Sequence, residues 1–300
     1  EYILKRHPYI LLVDRGRVLG EVTSWPDLDA WRSKEEAQKS AQYYIATELP
    51  RKVARQLIEL LTIFNAIQKG MRVLDVGTGP GNFAVSLAKK AKKTFGEKNV
   101  EIVAAERPIE KTFKTFLEQE KVKRGYSCID IQFKGLEDLT IYGKEFDLIV
   151  WNMLLPTPCM LNQLSELLRN NGKVAVTYYH RSALDTFYDI FEASYDDEKK
   201  QFPRPKTYDI EEFGSYLIAN AKVIDGSAGA FDVYQNFRNP EHLLRYLFSS
   251  LVPAGQIFTY YTSLQDEVWK NALKRIKRKY SSRSFEIRVK INYFIGCRIL

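Results

Sequence analysis

The chain has 300 residues, of which 45% are hydrophobic and 27% are charged, and its formal net charge is +8. This composition excludes a mainly disordered chain, because burial of so much apolar surface can offset the entropy lost on folding. The longest uncharged stretches, 148–165 and 246–265, are interrupted by Pro, Asn, Gln or Gly. We therefore expect no insertion into a membrane.

The cysteines indicate a reducing environment. Cys128, Cys159 and Cys297 are odd in number and far apart, so they form neither a disulfide framework nor a zinc or redox motif. The N-terminal residues show no secretory signal. We therefore expect a cytoplasmic protein, and we expect no metal because no cluster of His, Cys and Asp has the spacing of metal ligands.

The first half of the chain changes from a hairpin to an alternating pattern. A hairpin is predicted over residues 9–13 and 18–22, followed by a cap helix and a helix from Pro50 to Gly70. Apolar strands then alternate with helices, one of which is predicted over 160–169. The strands are predicted over 72–76, 100–105, 128–133, 146–151 and 173–178. Apolar strands of this kind are typical of a parallel sheet covered on both faces, so the pattern predicts a doubly wound α/β core.

The last 120 residues are less regular. They predict an aromatic-rich insertion, a basic helix over 264–280 and two more strands, over 222–234 and 285–295. We therefore expect three parts: a hairpin and cap helix in 1–50, a ligand-binding core in 51–180, and an insertion that completes the sheet in 181–300.

A glycine-rich turn after the first core strand is the most informative motif. Asp75, Gly77, Gly79 and Gly81 give it the spacing Asp-x-Gly-x-Gly-x-Gly. It does not complete the dinucleotide fingerprint Gly-x-Gly-x-x-Gly, because Asn82 stands at the last position. An acid two residues before the first glycine disfavours an anionic pyrophosphate and favours a ligand that carries an ammonium group.

This motif resembles the first motif of the class I S-adenosylmethionine-dependent methyltransferases, and the resemblance covers roughly residues 40–180. It implies a mostly parallel seven-stranded sheet. To this sheet we add the N-terminal hairpin and helical extension predicted above and a helical insertion after strand 5. It also implies S-adenosylmethionine as the cofactor and S-adenosylhomocysteine as the product. The residues implied to bind the cofactor are Asp75, Gly77, Thr78, Gly79, Gly81, Glu106, Leu136, Glu137 and Asn152.

Two of these assignments have distinct roles within the resemblance. Glu106, at the end of the second core strand, is implied to accept hydrogen bonds from both ribose hydroxyls. Many relatives have Asp in the adenine loop where this chain has Gly135, so Leu136, Glu137 or Asp138 is expected to contact the adenine.

The residues after the fourth core strand bear on the acceptor. Asn152-Met153-Leu154-Leu155 lacks the Asn-Pro-Pro-Tyr form of enzymes that methylate base amines, and it resembles the small-molecule branch of the family. The resemblance thus implies an enzyme that transfers a methyl group to a small molecule. The side chains expected to enclose that acceptor are those of Tyr43, Tyr44, Tyr178 and Tyr179.

His180 is the candidate general base, because an imidazole titrates near neutral pH and this histidine follows the fifth core strand. The alternative is that His180 only forms hydrogen bonds with the loop that leaves the sheet.

Two other functions stay open. The segment from Lys270 to Arg283 contains seven basic residues and no acid. Its charge of +7 nearly equals the net charge of the whole chain. An RNA methyltransferase, for example of tRNA, that binds phosphates through residues 264–283 is therefore one alternative. A non-catalytic cofactor-binding protein of the same fold is the other.

Overall fold

The computed structural model describes residues 11–14, 17–21, 45–96, 100–106, 111–133, 145–156, 158–192, 207–221, 225–250, 265–280 and 283–297. The strands are β1 Leu11–Asp14, β2 Arg17–Glu21, β3 Met71–Val76, β4 Val100–Glu106, β5 Ile129–Phe133, β6 Phe146–Asn152, β7 Leu168–Tyr179, β8 Asp225–Phe237 and β9 Phe285–Cys297. The helices are α1 Leu49–Ile63, α2 Asn82–Phe95, α3 Lys111–Arg124, α4 Pro158–Ser165, α5 Arg181–Glu192, α6 Ile210–Ala221, α7 Pro240–Ser250 and α8 Gln265–Lys279.

Seven strands form one sheet in the order β5-β4-β3-β6-β7-β9-β8. Strand β3 pairs in parallel with β4 on one side and with β6 on the other, so the chain reverses its direction of travel across the sheet at β3. Strand β9 pairs antiparallel with β7. This architecture confirms the predicted doubly wound, mostly parallel sheet, and helices α5 and α6 form the predicted insertion between β7 and β8.

The N-terminal hairpin is also observed, with β1 and β2 antiparallel and Asp14 paired with Arg17. The predicted cap helix begins outside the described residues.

A buried apolar core covers one face of the central strands. Helix α1 contributes a helical stripe, and α2 contributes residues such as Phe83 and Leu87. They pack against strand residues such as Val73, Ile102 and Val150, which are all buried. The nearly continuous burial of β3 and β6 explains why these strands have no polar alternation.

Two predicted helices end earlier than expected. Helix α1 stops at Ile63 instead of Gly70, because Asn65 adopts a positive φ of 49° and the Ala66 N–H donates to the Leu61 carbonyl, as in a Schellman stop. Helix α4 ends at Ser165 instead of 169, because β7 already begins at Leu168, which is paired with Phe146.

The chain divides into two compact units. The first comprises Glu48–His180, Tyr208–Val233 and Lys290–Leu300, and it contains the glycine-rich loop. The second comprises Glu1–Thr47, Arg181–Thr207 and Tyr234–Val289. Residues 181–300 therefore contribute to both units. Among the described helices, none is both long enough and apolar enough to cross a membrane.

Candidate functional site

The loop between β3 and α2 is built around three glycines. Gly77, Gly79 and Gly81 have positive φ angles of 65°, 53° and 80°, which residues other than glycine rarely adopt. A Cβ at Gly77 would lie 2.7 Å from the Leu154 Cδ2 atom, and one at Gly81 would collide with the Leu117 side chain. The backbone conformation therefore favours glycine at all three positions, and a Cβ at Gly77 or Gly81 would also force a leucine side chain to move. The loop thus presents bare backbone at the carboxyl end of the central strand.

Backbone hydrogen bonds attach this loop to the neighbouring strand. The Thr78 N–H donates to the Ala105 carbonyl of β4 at 3.0 Å, and the Gly81 N–H donates to the Thr78 carbonyl at 2.9 Å. The loop is thus fixed before any ligand binds, which lowers the entropy lost on binding.

Asp75 holds the loop from beneath. It is 1% exposed, and its Oδ2 atom accepts hydrogen bonds from the Thr78 hydroxyl at 2.6 Å and from the Ala84 N–H at 3.2 Å. Its Oδ1 atom is buried and has no hydrogen-bond partner among the residues that the structure describes. Burial, with a smaller contribution from the nearby Glu106, raises the pKa of Asp75 from 3.8 to about 7 against the opposite effect of these two hydrogen bonds.

The raised pKa predicts that the stability of the cofactor-free protein depends on Asp75. A carboxyl whose pKa is higher in the folded chain stabilises the fold at low pH, and this contribution is lost as the pH rises from about 4 to about 7. We expect the free energy of unfolding of the parent to fall relative to that of Asp75→Asn, by up to about 1.4 kcal/mol per pH unit. Urea unfolding of both proteins at pH 5, 6, 7 and 8 measures this difference, in which the other titrating groups cancel. Parallel pH profiles would contradict the prediction.

Glu106 fastens the loop from the end of β4. Its Oε2 atom accepts a hydrogen bond from the Gly79 N–H at 2.7 Å, and the side chain is half-buried. Asp75, Glu106 and the three glycines therefore meet at one edge of the sheet, as their positions at adjacent strand ends predicted.

The segment from Asn152 to Pro156, at the end of β6 and after it, lies beside this loop. We call this segment the wall. The Asn152 side chain donates to the Pro50 carbonyl at 3.3 Å and accepts from the Thr177 hydroxyl at 3.2 Å. The same hydroxyl accepts from the Met153 N–H at 2.9 Å, and Met153 has a positive φ of 65°. Asn152 is thus bonded to protein groups at both ends of its amide, and its predicted contact with the cofactor stays a prediction.

Sequence reasoning missed the residues that hold this wall. Thr177 is fully buried within β7, and the Tyr216 hydroxyl donates to the Pro156 carbonyl at 2.7 Å. Leu154 lies against Gly77, which brings the wall to the glycine-rich loop. A threonine that interrupts an apolar strand was the one signal available in the sequence, since Tyr216 belongs to an insertion without a motif.

Tyr178 and Tyr179 are surrounded differently. Tyr179 is 1% exposed, whereas Tyr178 is half-buried, since successive residues of a strand point to opposite faces. Burial, together with the adjacent Tyr179 and Tyr208, raises the pKa of Tyr178, so its phenol stays neutral near pH 7. Asn292, which is opposite Tyr178 in the sheet, donates to the Tyr208 carbonyl at 3.0 Å.

His180 follows β7 directly and is half-buried. Its backbone N–H donates to the Lys290 carbonyl at 3.0 Å, which extends the pairing of β7 with β9 by one residue. The backbone of His180 is therefore fixed at the carboxyl end of the sheet.

Five predicted site residues lie outside the described residues: Tyr43, Tyr44, Leu136, Glu137 and Asp138. Within the described part of the chain, no group of three or more His, Cys, Asp or Glu side chains is arranged to hold a metal ion.

One protein-family model matches the sequence. It is described as a methyltransferase domain, and it covers residues 45–217, which include the loop, Glu106, Asn152 and His180. Among curated proteins, none matches the sequence significantly.

Solved structures that resemble the chain have low sequence identity to it. The YcgJ protein from Bacillus subtilis is 14% identical, with 80% of this chain and 97% of that one covered at a TM-score of 0.49. Phosphoethanolamine N-methyltransferase 2 of Haemonchus contortus, in complex with S-adenosylhomocysteine, is 14% identical at a TM-score of 0.47. The match covers 82% of this chain and 52% of that one. Coclaurine N-methyltransferase, also bound to S-adenosylhomocysteine, is 16% identical at a TM-score of 0.42, with coverage of 80% and 70%.

Proposed function

We propose, since the chain belongs to the family of methyltransferase domains, that it transfers a methyl group from S-adenosylmethionine to a small-molecule acceptor. The observation that carries this proposal is the loop from Asp75 to Gly81, whose three glycines have left-handed backbone conformations at the end of the central strand. Ligands of doubly wound sheets bind at this position, where the strand order reverses.

The residues of the site fit this cofactor. The Oδ1 atom of Asp75 is a buried acceptor that lacks a partner among the described residues, and an ammonium group would supply one. The absence of Cβ atoms at Gly77, Gly79 and Gly81 lets a ligand approach the backbone. We therefore assign the methionine end of the cofactor to Asp75 and the loop, including Thr78, and the ribose to Glu106.

The chemistry that the cofactor supplies is a methyl group on a cationic sulfur. The chain's own task is to hold the acceptor in line with that methyl group and to exclude water. Such positioning lowers the activation free energy of methyl transfer by several kcal/mol without any acid or base. Leu154 beside Gly77, and Pro156 held by Tyr216, form an apolar wall suited to this task. Tyr178, with a neutral phenol, is our candidate for contact with the acceptor.

The partition of label from radioactive S-adenosylmethionine tests the proposal. The protein is incubated with the labelled cofactor and an extract of its source organism, and the solvent-extractable metabolites are separated from the polymers. We expect the label among the metabolites, and none with the Gly79→Arg variant as control. Label in a nuclease-sensitive polymer would instead establish an RNA or DNA acceptor, and binding without any transfer would establish a non-catalytic protein.

His180 is our candidate for the group that takes a proton from the acceptor. Once the acceptor is identified, we expect His180→Ala to bind the cofactor with normal affinity and to lose about a hundredfold in kcat, the usual scale for a general base. The parent rate should fall at low pH, where the imidazole is protonated. A kcat within a few-fold of the parent and a flat pH profile would assign the chemistry to positioning alone.

A further inference from the structure

Helix α8 has two faces of opposite chemistry. Ala272 and Ile276 are fully buried, and the helix packs against α5 and α7. The opposite face is exposed and basic. We call it the basic face, and it consists of Lys270, Lys274, Arg275, Lys277 and Arg278.

In the part of the chain that the structure describes, no ion pair joins Lys270, Lys274, Arg275, Lys277 or Arg278 to another residue. Like charges three and four residues apart repel each other on a helix, by a few tenths of a kcal/mol per pair. The basic face contains several such pairs, so an anionic partner would relieve a repulsion that the described residues leave in place.

The composition of the face decides between kinds of partner. An amphipathic helix that inserts into a membrane surface needs an exposed apolar face, but Ala272 and Ile276 of α8 are buried and Trp269 and Leu273 are partly buried. The centre of a protein interface is typically apolar and aromatic and is depleted in lysine. The aromatic residues that border the face contact other parts of this chain, because Tyr280 stacks on Phe285 with ring centroids 5.0 Å apart and the Arg245 guanidinium covers the Trp269 ring.

We propose that the basic face of α8 binds the phosphate backbone of a nucleic acid. Arginine and lysine are the side chains that bind phosphate, and the missing aromatic residues predict binding without recognition of bases. From Lys270 to Arg278 the helix rises about 12 Å, a length that spans about four successive phosphates of a stacked strand. This function does not depend on methyl transfer, and the nucleic acid need not be the acceptor.

The length of the face sets the expected salt dependence. About four phosphate contacts predict a slope near −3 for the logarithm of affinity against the logarithm of salt concentration on a single strand. Affinity should then fall about fiftyfold between 50 and 200 mM NaCl.

Fluorescence anisotropy with labelled 20-nucleotide single-stranded RNA, and with DNA of the same sequence, measures this binding. The variant Lys274→Glu/Lys277→Glu/Arg278→Glu should bind at least about tenfold more weakly at 50 mM NaCl, with a slope shallower than about −1. The matched control Lys89→Glu/Lys93→Glu/Lys123→Glu changes the net charge equally on exposed lysines of α2 and α3, and it should stay within about threefold of the parent. Circular dichroism verifies the fold of both variants, and their affinity for S-adenosylhomocysteine should equal that of the parent.

Three results would overturn the proposal. Equal weakening by the two triple variants would mean that only net charge matters. Affinity that is insensitive to salt would exclude phosphate contacts. Binding to vesicles that contain phosphatidylserine, without binding to either oligonucleotide, would identify a membrane partner. A preference between RNA and DNA identifies which nucleic acid is bound, and the labelling experiment above is independent of all these results.

Discussion

Replacement of Gly79 with arginine is expected to weaken the binding of S-adenosylhomocysteine by at least about a hundredfold, which corresponds to about 2.7 kcal/mol. Gly79 lies at the centre of the loop with a φ of 53°, and its N–H is bonded to Glu106. An arginine there fills the space by which a ligand approaches the backbone. It also adds a positive charge beside the proposed position of the ammonium group. Isothermal titration calorimetry measures the loss.

The matched control for this variant is Gly125→Arg. Gly125 has a φ of 64° at the end of α3, and apart from its chain neighbours no described residue lies within 4 Å of the position its Cβ would take. The two variants therefore have a similar backbone cost, but only one alters the loop. We expect Gly125→Arg to bind the ligand with parent affinity, and both variants to give a native circular dichroism spectrum. Unchanged affinity in Gly79→Arg would exclude the loop as the site, and binding of NADH by the parent would indicate a dehydrogenase.

The sheet was predictable because its signals are local. Buried parallel strands need consecutive apolar residues, and the observed strands β3, β4 and β6 begin and end within one residue of their predicted bounds. The glycine-rich loop was predictable for a similar reason, since only glycine is suited to three positive φ angles within five residues.

Contacts between distant parts of the chain were not predictable. Asn152 is bonded to Pro50 and Thr177, which are 102 and 25 residues away in the sequence, and no local pattern indicates such pairs. The early end of α1 depended on Asn65 in a left-handed conformation, which the apolar period through Ile67 concealed. The resemblance to a family indicated which acids belong to the site, but not that Asp75 and Glu106 hold the loop through Thr78 and Gly79.

Glu106 accepts a hydrogen bond from the Gly79 N–H and is also the proposed ribose ligand, so its replacement tests both roles. We expect Glu106→Ala to weaken the binding of S-adenosylhomocysteine by at least about tenfold. The proposed ribose contacts are charge-assisted hydrogen bonds that contribute about 1.5–3 kcal/mol each at best, and less where water replaces them. Loss of the bond to the Gly79 N–H also releases the loop, which adds an entropic cost to binding.

Two further variants separate these contributions. Glu106→Gln retains an oxygen that accepts from the Gly79 N–H but removes the charge, so we expect an affinity between those of the parent and Glu106→Ala. Glu101→Ala removes an exposed carboxylate of the same strand, paired with Arg72, and should leave the affinity unchanged. If Glu106→Gln binds as tightly as the parent while Glu106→Ala does not, Glu106 acts by holding the loop and not by binding ribose. If Glu106→Ala itself stays within about twofold of the parent, Glu106 contributes neither effect, and the ribose must be bound by other residues.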